Sequence, residues 1–406
     1  MIKPISLLCL PLLAVACTDP DPPAVVEPHY DDVEYADPTE ELYAVTNLPR
    51  FDLELSEDAL DDLAREPREY TQGTFSYRGQ VLAGIGVRLK GEASFRDMDD
   101  KPGFKLKFDK FNDGLRFRGL KRMTLNNNVQ DPSFLSQPLA FAVYREAGLP
   151  APRANSALVY VNGEYYGVYS NVETEDKVFL ARWFDSNKGN LYEEGGEDFV
   201  PGAEGEFDLE TNEDDNDRSD LTALVNAIDR STTDDFLEVV GKQLDMEHYL
   251  TYVVVEALIG GSDGYSYGTG SRNNFRVYRD PTSDKFVLIP WGLDRGLRPR
   301  TDPKVVHGWV EPMNIYQSAF DARGILLEKC LVSPACRRAF IDRAHEVSTL
   351  FEQLDVRSQA RQLFSLIDDA AYADPRKEED NEYCDYAVGL FHRYVSGRAE
   401  ALRAEL

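Results

Sequence analysis

The stretch "SALVYVNGEYYGVYSNVE" constrains this chain more than any other. Two aromatic and β-branched arms flank Asn162-Gly163, the dipeptide that most strongly signals a type I′ turn, so the stretch reads as a β-hairpin. Strand-like segments precede it. Phe51, Leu53 and Leu55 alternate, and Ser56 then caps a helix whose Leu60 and Leu63 share one face. Residues 71–90, including "GQVLAGIGVRLKG", are strand-like, and Phe104–Phe108 puts its apolar residues on one face and Lys105 and Lys107 on the other. "PSFLSQPLAFAVYREAG" has helical periodicity and stops at Gly148, with Pro150 beyond. Further helices are expected at 219–229 and 233–261, then a strand pair, "NNFRVYRD" and "KFVLIPW", then helices from about 315 onward. No internal repeat is present. A β-rich start, a mixed middle and a helical end predict the α+β class.

Charge narrows the function. The chain carries 72 Asp+Glu against 44 Lys+Arg, a net charge of -28. Such a surface repels nucleic acid and anionic lipid, and it attracts divalent cations or basic protein segments. The membrane is therefore expected only through a covalent anchor. Lys3, the apolar run Ile5–Leu13 and the small residues before Cys17 predict a lipoprotein signal peptide over 1–16, with the Cys17 sulfur acylated. Thr18, rather than Asp, after the cysteine favours the outer membrane or cell surface. Residues 17–48, rich in proline and acids, read as an extended tether to a domain spanning 49–406. Of the cysteines left after the signal and the anchor, Cys330 and Cys336 can close a local loop, with Cys384 left over or pairing with one of them instead. A zinc site is the weaker alternative, since no histidine lies at ligand spacing.

Nucleophile motifs such as G-x-S-x-G and H-E-x-x-H are missing, as are a Walker A loop and a dinucleotide fingerprint. Oxygen donors stand out instead. Asp263 sits in the glycine-rich "GGSDGYSYG", Asn274 opens one strand of the late pair, and Asp294 closes "VLIPWGLD" at the end of the other. Two oxygen ligands and a base are what phosphoryl transfer requires, although Asp and Asn in glycine-rich turns are also ordinary turn formers. Lys101, Lys105 and Lys107 are candidates to answer phosphate charge. "GIGVRLKG" is a weak phosphate-loop signal. The most acidic stretch, 193–220, reads as a solvated loop or, more sharply, a calcium site without EF-hand spacing.

These residues fall into a recognisable order. "VRLKGEASF", "KPGFKLKFDKF", "LNNNVQDPSFL", "REAGLPAPRANSALVYVNGEYYGVYSNVETEDKVFL", "GNLYE" and the "NNFRVYRD" to "KFVLIPWGLD" pair resemble, in sequence order, the spore coat protein H (CotH) kinase family over about residues 80–300. The resemblance implies a diverged protein-kinase-like fold lacking the H-R-D and D-F-G motifs, with a β-rich lobe over about 49–180 and a helix-rich lobe over about 181–406. It implies a secreted or surface kinase that uses ATP with Mg²⁺ or Mn²⁺ to phosphorylate Ser or Thr of exported proteins. By position, Asp263 falls on the catalytic aspartate, Asp294 on the metal-binding acid and Asn274 on a second metal ligand. Lys105, then Lys107, are the choices for the nucleotide lysine, and Glu173 orients a lysine, lines the nucleotide pocket or is structural. One departure matters. The family often reads Pro-Trp-Asp-x-Asp, and this chain has Gly292 in the first acidic slot. Gly292 keeps open a second reading, a non-catalytic envelope lipoprotein that binds a protein partner. A third, smaller class is other metal-dependent transfer or hydrolysis.

Overall fold

The computed structural model describes residues 26–261, 263–268, 270–299 and 316–406. The expected signal peptide and the acylated Cys17 lie outside the described residues. Seven strands close a barrel: β1 (Arg50–Glu54), β2 (Thr71–Tyr77), β3 (Gln80–Lys90), β4 (Gly103–Lys107), β5 (Arg122–Asn126), β6 (Ala154–Val161) and β7 (Glu164–Val172), in the order β1-β2-β3-β4-β5-β7-β6. Every neighbouring pair is antiparallel except β1 and β6, whose parallel register (Arg50↔Leu158) seals the ring.

The β6–β7 hairpin shows why its sequence is so constrained. Asn162 and Gly163 both take positive φ, 51° and 82°, as a type I′ turn demands. The Asn162 side chain accepts the Leu55 N–H at 2.8 Å and donates to the Leu55 carbonyl at 2.9 Å, pinning the turn to the end of β1. Both faces of β6 are buried. Ala157, Val159 and Val161 fill the barrel interior, while Ala154, Leu158 and Tyr160 join the helical core outside. Arms without polar alternation follow from that double burial.

A second sheet carries β8 (Leu191–Glu193), β9 (Asp208–Leu209), β10 (Phe275–Asp280) and β11 (Lys285–Pro290) in the order β11-β10-β8-β9. The helices are α1 (Glu40–Tyr43), α2 (Glu57–Arg65), α3 (Ser136–Glu146), α4 (Lys177–Trp183), α5 (Ser219–Arg230), α6 (Phe236–Val240), α7 (Met246–Ile259), α8 (Ile325–Val332), α9 (Pro334–Gln353), α10 (Val356–Tyr372) and α11 (Asn381–Glu405). The chain is α+β, and its helix-rich part holds a sheet of its own. Helix α7, buried on nearly every side, is the axis of the larger core. Cys330 and Cys336 form a disulfide, S–S 2.04 Å, between α8 and α9, and Cys384 is a buried free thiol. A buried ion pair, Lys101 Nζ to Asp374 at 2.5 Å, fastens the turn after α10 to the barrel, and Asp374 also accepts the Val168 N–H at 3.0 Å. No described helix is long and apolar enough to cross a membrane.

Three expectations change. The extended tether does not hold from residue 26 onward, because Leu42, Tyr43 and Leu48 are buried and Asn155 donates to the Ala44 and Asn47 carbonyls. Helix 233–261 is two helices: α6 ends at Gly241, and Asp245 caps α7 by accepting the His248 N–H at 3.0 Å. The acidic stretch 193–220 is not simply a solvated loop, since it contains β9 and places Glu193, Glu194 and Glu210 against buried Arg276 and Asn274.

Candidate active site

A cleft of about 860 Å³ opens between the outer face of β3–β4 and the second sheet. The barrel wall is cationic. Strand alternation turns Val87, Leu89, Phe104 and Leu106 inward and leaves Arg88, Lys90, Lys105 and Lys107 outside. Arg88 lies directly opposite Lys105 in the ladder, a like-charge pair that destabilises a sheet unless anions answer it. Arg88, Lys90 and Lys105 line the cleft. Lys90 donates to Asn126 Oδ1 and sits 5.9 Å from the centre of the Trp291 ring. Burial, then repulsion from Lys105, lowers its pKa to about 8 against the pull of Asp294, Glu193 and Glu175. Burial also lowers that of Lys105.

The opposite wall is built by the ends of α7, β10 and β11. Gly260, at φ 71°, ends α7 and releases the glycine-rich loop that carries Asp263. Glu256 of α7 pins that loop by accepting the Ser266 N–H at 3.0 and 3.2 Å, and burial raises its pKa to about 7. A Cβ on Gly264 would overlap the Glu256 carboxylate, which explains the glycine. Asn274 precedes β10 at φ 57°, a conformation asparagine tolerates. Its Nδ2 donates to the Asp263 carbonyl at 2.7 Å and to Asp263 Oδ2 at 3.1 Å, while its N–H donates to Glu194 Oε1 at 2.9 Å. Asp294 follows in a 3₁₀ turn, Leu293–Arg295. Burial raises its pKa to about 6, with Lys90 and Arg298 opposing and Asp131 and Asp263 adding to the rise.

Gly292 has a physical reason. It adopts φ 56°, and a Cβ there would overlap Asn274 Oδ1. The space at the missing acidic slot is filled by the Asn274 amide oxygen. Beneath the cleft, Arg276 gathers Glu193 at 3.0 Å, Glu175 at 3.4 Å and Glu210 at 3.8 Å. Burial raises the pKa of Glu175, against the pull of Arg276, and that of Glu194 to about 8.

The structure thus brings Asp263, Asn274, Asp294 and Lys105 into one cleft and leaves three candidates out. Lys107 points among Arg122, Asp109 and Lys121, away from it. Glu173 is buried in ion pairs with Arg153 (2.8 Å) and Arg182, so it serves the fold. Lys101 is consumed by Asp374. Lys90, which also lines the cleft, was not among the sequence candidates, although it ends β3 within "VRLKG" on the same outer face as Lys105. Glu175, Glu193, Glu194 and Arg276 left no local signal, because three separate chain segments bring them together. Among the described residues no three His, Cys, Asp or Glu side chains form a metal cluster, so the calcium reading of 193–220 finds no support. The donors near Asp294 are carboxylate and amide oxygens, the set a hard divalent ion takes.

Residues 87–402 match the family described as CotH kinase protein. Inner spore coat protein H of Bacillus subtilis (strain 168) is 24% identical over 306 residues, covering 71% of this chain and 80% of its own length. An inner spore coat protein H-like protein of the same organism is 28% identical over 78 residues, 19% of this chain and 24% of that protein. Among solved structures, the Helicobacter pylori proinflammatory kinase CtkA overlaps 83% of this chain and 90% of its own at 9% identity, with a TM-score of 0.32. That overlap is too loose to argue from. The family match spans most of the chain, and this protein belongs to the CotH kinase family.

Proposed function

We propose that this chain is an atypical protein kinase, of kinase-like fold, that transfers the γ-phosphoryl group of ATP to Ser or Thr hydroxyls of exported proteins. One observation carries the reading: a cationic strand face, Arg88, Lys90 and Lys105, looks across a single cleft at Asp263, Asn274 and Asp294. Asp263 accepts the proton of the acceptor hydroxyl. Asn274 holds that carboxylate in place through its Nδ2 while its Oδ1 is kept for a ligand role. Lys90 and Lys105 offset charge on the phosphates, with Lys90 taking the role first given to Lys105. Asp294 and Asn274 would hold Mg²⁺ or Mn²⁺, which supplies neutralisation of the transferring phosphates.

The acceptor is expected outside the cytoplasm, with the enzyme tethered through acylated Cys17, and the charge of -28 argues against nucleic acid as a partner. Gly292 is the observation that favours the second reading, a non-catalytic envelope lipoprotein. Mass spectrometry of the soluble chain and a Ser/Thr-rich acceptor after incubation with ATP and Mg²⁺ or Mn²⁺ separates them. New phosphoserine or phosphothreonine supports the kinase. An unmodified acceptor and enzyme, with the chain folded, supports the binding protein.

A further inference from the structure

Beside the cleft lies a second, polar cavity of about 200 Å³, lined by Arg96, Arg295, Arg298, Gln130 and Tyr383 among others. It shares Ala93, Gln130 and Arg295 with the wall of the larger cleft, so the two abut. Three guanidinium groups around so small a space are conspicuous in a chain of net charge -28. Arg96 is fixed by the Phe95 carbonyl at 2.6 Å and by an ion pair with Glu378. The charge of Arg298 acts on Asp131 and Asp294. Arg295 follows Asp294 directly in the 3₁₀ turn and lines both spaces, so the cavity adjoins the reaction centre. Its volume is below the roughly 300 Å³ at which pockets for whole small molecules begin, so it suits a single charged group rather than a nucleotide. Arginine forks match phosphate oxygens in pairs, which lysine does not.

We infer that the Arg96–Arg295–Arg298 cavity is a phosphate subsite for the protein acceptor, one that holds a phosphorylated side chain of the acceptor while a neighbouring hydroxyl sits at Asp263. This rests on the protein-kinase reading, and it gives that enzyme a preference for acceptors already phosphorylated nearby. Such an enzyme would add successive phosphates along a Ser/Thr-rich segment.

Binding without ATP tests it. Fluorescence anisotropy on the full chain compares a serine-containing peptide with versions carrying one phosphoserine at increasing distance from the serine. At one spacing the phosphopeptide should bind roughly tenfold or more tighter, the size of one charge-assisted hydrogen-bond pair. Inorganic phosphate should compete with it, and Arg96→Gln should remove the preference while MgATP affinity stays unchanged. Equal binding of both peptides, or an undiminished preference in Arg96→Gln, overturns the subsite. Inorganic phosphate binding without any phosphopeptide preference overturns its assignment to the acceptor. Since no ATP is present, phosphopeptide binding in a chain that never transfers phosphate would fault the kinase reading alone.

Discussion

Replacing Lys90 with methionine keeps the length of the side chain and removes its charge from the cationic wall. If Lys90 meets an ATP phosphate, the variant loses a hydrogen bond to a charged group, about 1.5–3 kcal/mol, or roughly 10- to 150-fold in Kd. A second effect comes through Asp294, whose ionised form Lys90 supports. Without that charge the Asp294 pKa moves further above about 6, so less carboxylate is present at neutral pH to bind a metal. Stability should respond differently. Burial already disfavours the ammonium, so its removal relieves a desolvation cost, while Asn126 Oδ1 loses its donor at about 1 kcal/mol. The two effects oppose each other, and Tm should move by no more than about 2 °C. Calorimetric titration of MgATP and a thermal melt of the same sample read both quantities. An ATP affinity within threefold of the parent, with Lys105→Met abolishing binding, would refute the assignment and return the role to Lys105.

Three other outcomes follow from the same geometry. Gly292→Asp should not restore a metal ligand: the positive φ costs roughly 1–2 kcal/mol and the Cβ displaces Asn274 Oδ1, so a Mn²⁺ titration should show weaker binding than the parent. Metal affinity of the nucleotide-free protein should fall as pH drops through about 6, where buried Asp294 takes up its proton. Because that pKa lies above the unfolded value, Asp294 contributes stability below about pH 4 that is lost as pH rises through about 6, opposite to the trend in metal affinity. Glu173→Ala should leave Arg153 and Arg182 without their buried partner and cost about 3 kcal/mol in denaturant unfolding, with MgATP affinity within twofold.

What could be read ahead of the structure follows from how local each signal is. The hairpin was legible because Asn162 and Gly163 carry their own turn chemistry. Strand β4 was legible because Phe104, Lys105, Leu106 and Lys107 alternate. Asp263, Asn274 and Asp294 were legible as a set because each marks the end of a strong element. The choice between Lys90 and Lys105 was not legible. It depends on the register between β3 and β4 and on which end of that face the second sheet covers. Arg276 and its carboxylates come from β7's exit, β8, β9 and β10, so no window of sequence contains them together. The segment before β1 looked like a tether because its acids and prolines dominate, yet Leu42, Tyr43 and Leu48 suffice to seat it on the barrel. Gly292 looked like a lost ligand. The structure gives the vacancy an occupant, the Asn274 amide oxygen, which ties the departure from the family pattern to a specific neighbour.

In the proposed kinase, Asp263, Asn274 and Asp294 form the transfer centre. The most direct measurement is incorporation of label from γ-labelled ATP by the soluble chain, with Mg²⁺ or Mn²⁺, into itself or a Ser/Thr-rich acceptor. Asp263→Ala and Asp294→Ala run alongside, each verified as folded by its melt. The parent should incorporate label, and each variant should lose at least about a hundredfold, Asp263→Ala through the missing proton acceptor and Asp294→Ala through the missing metal ligand. Incorporation that survives in Asp263→Ala, or a folded parent that transfers no label with either metal, would contradict that assignment.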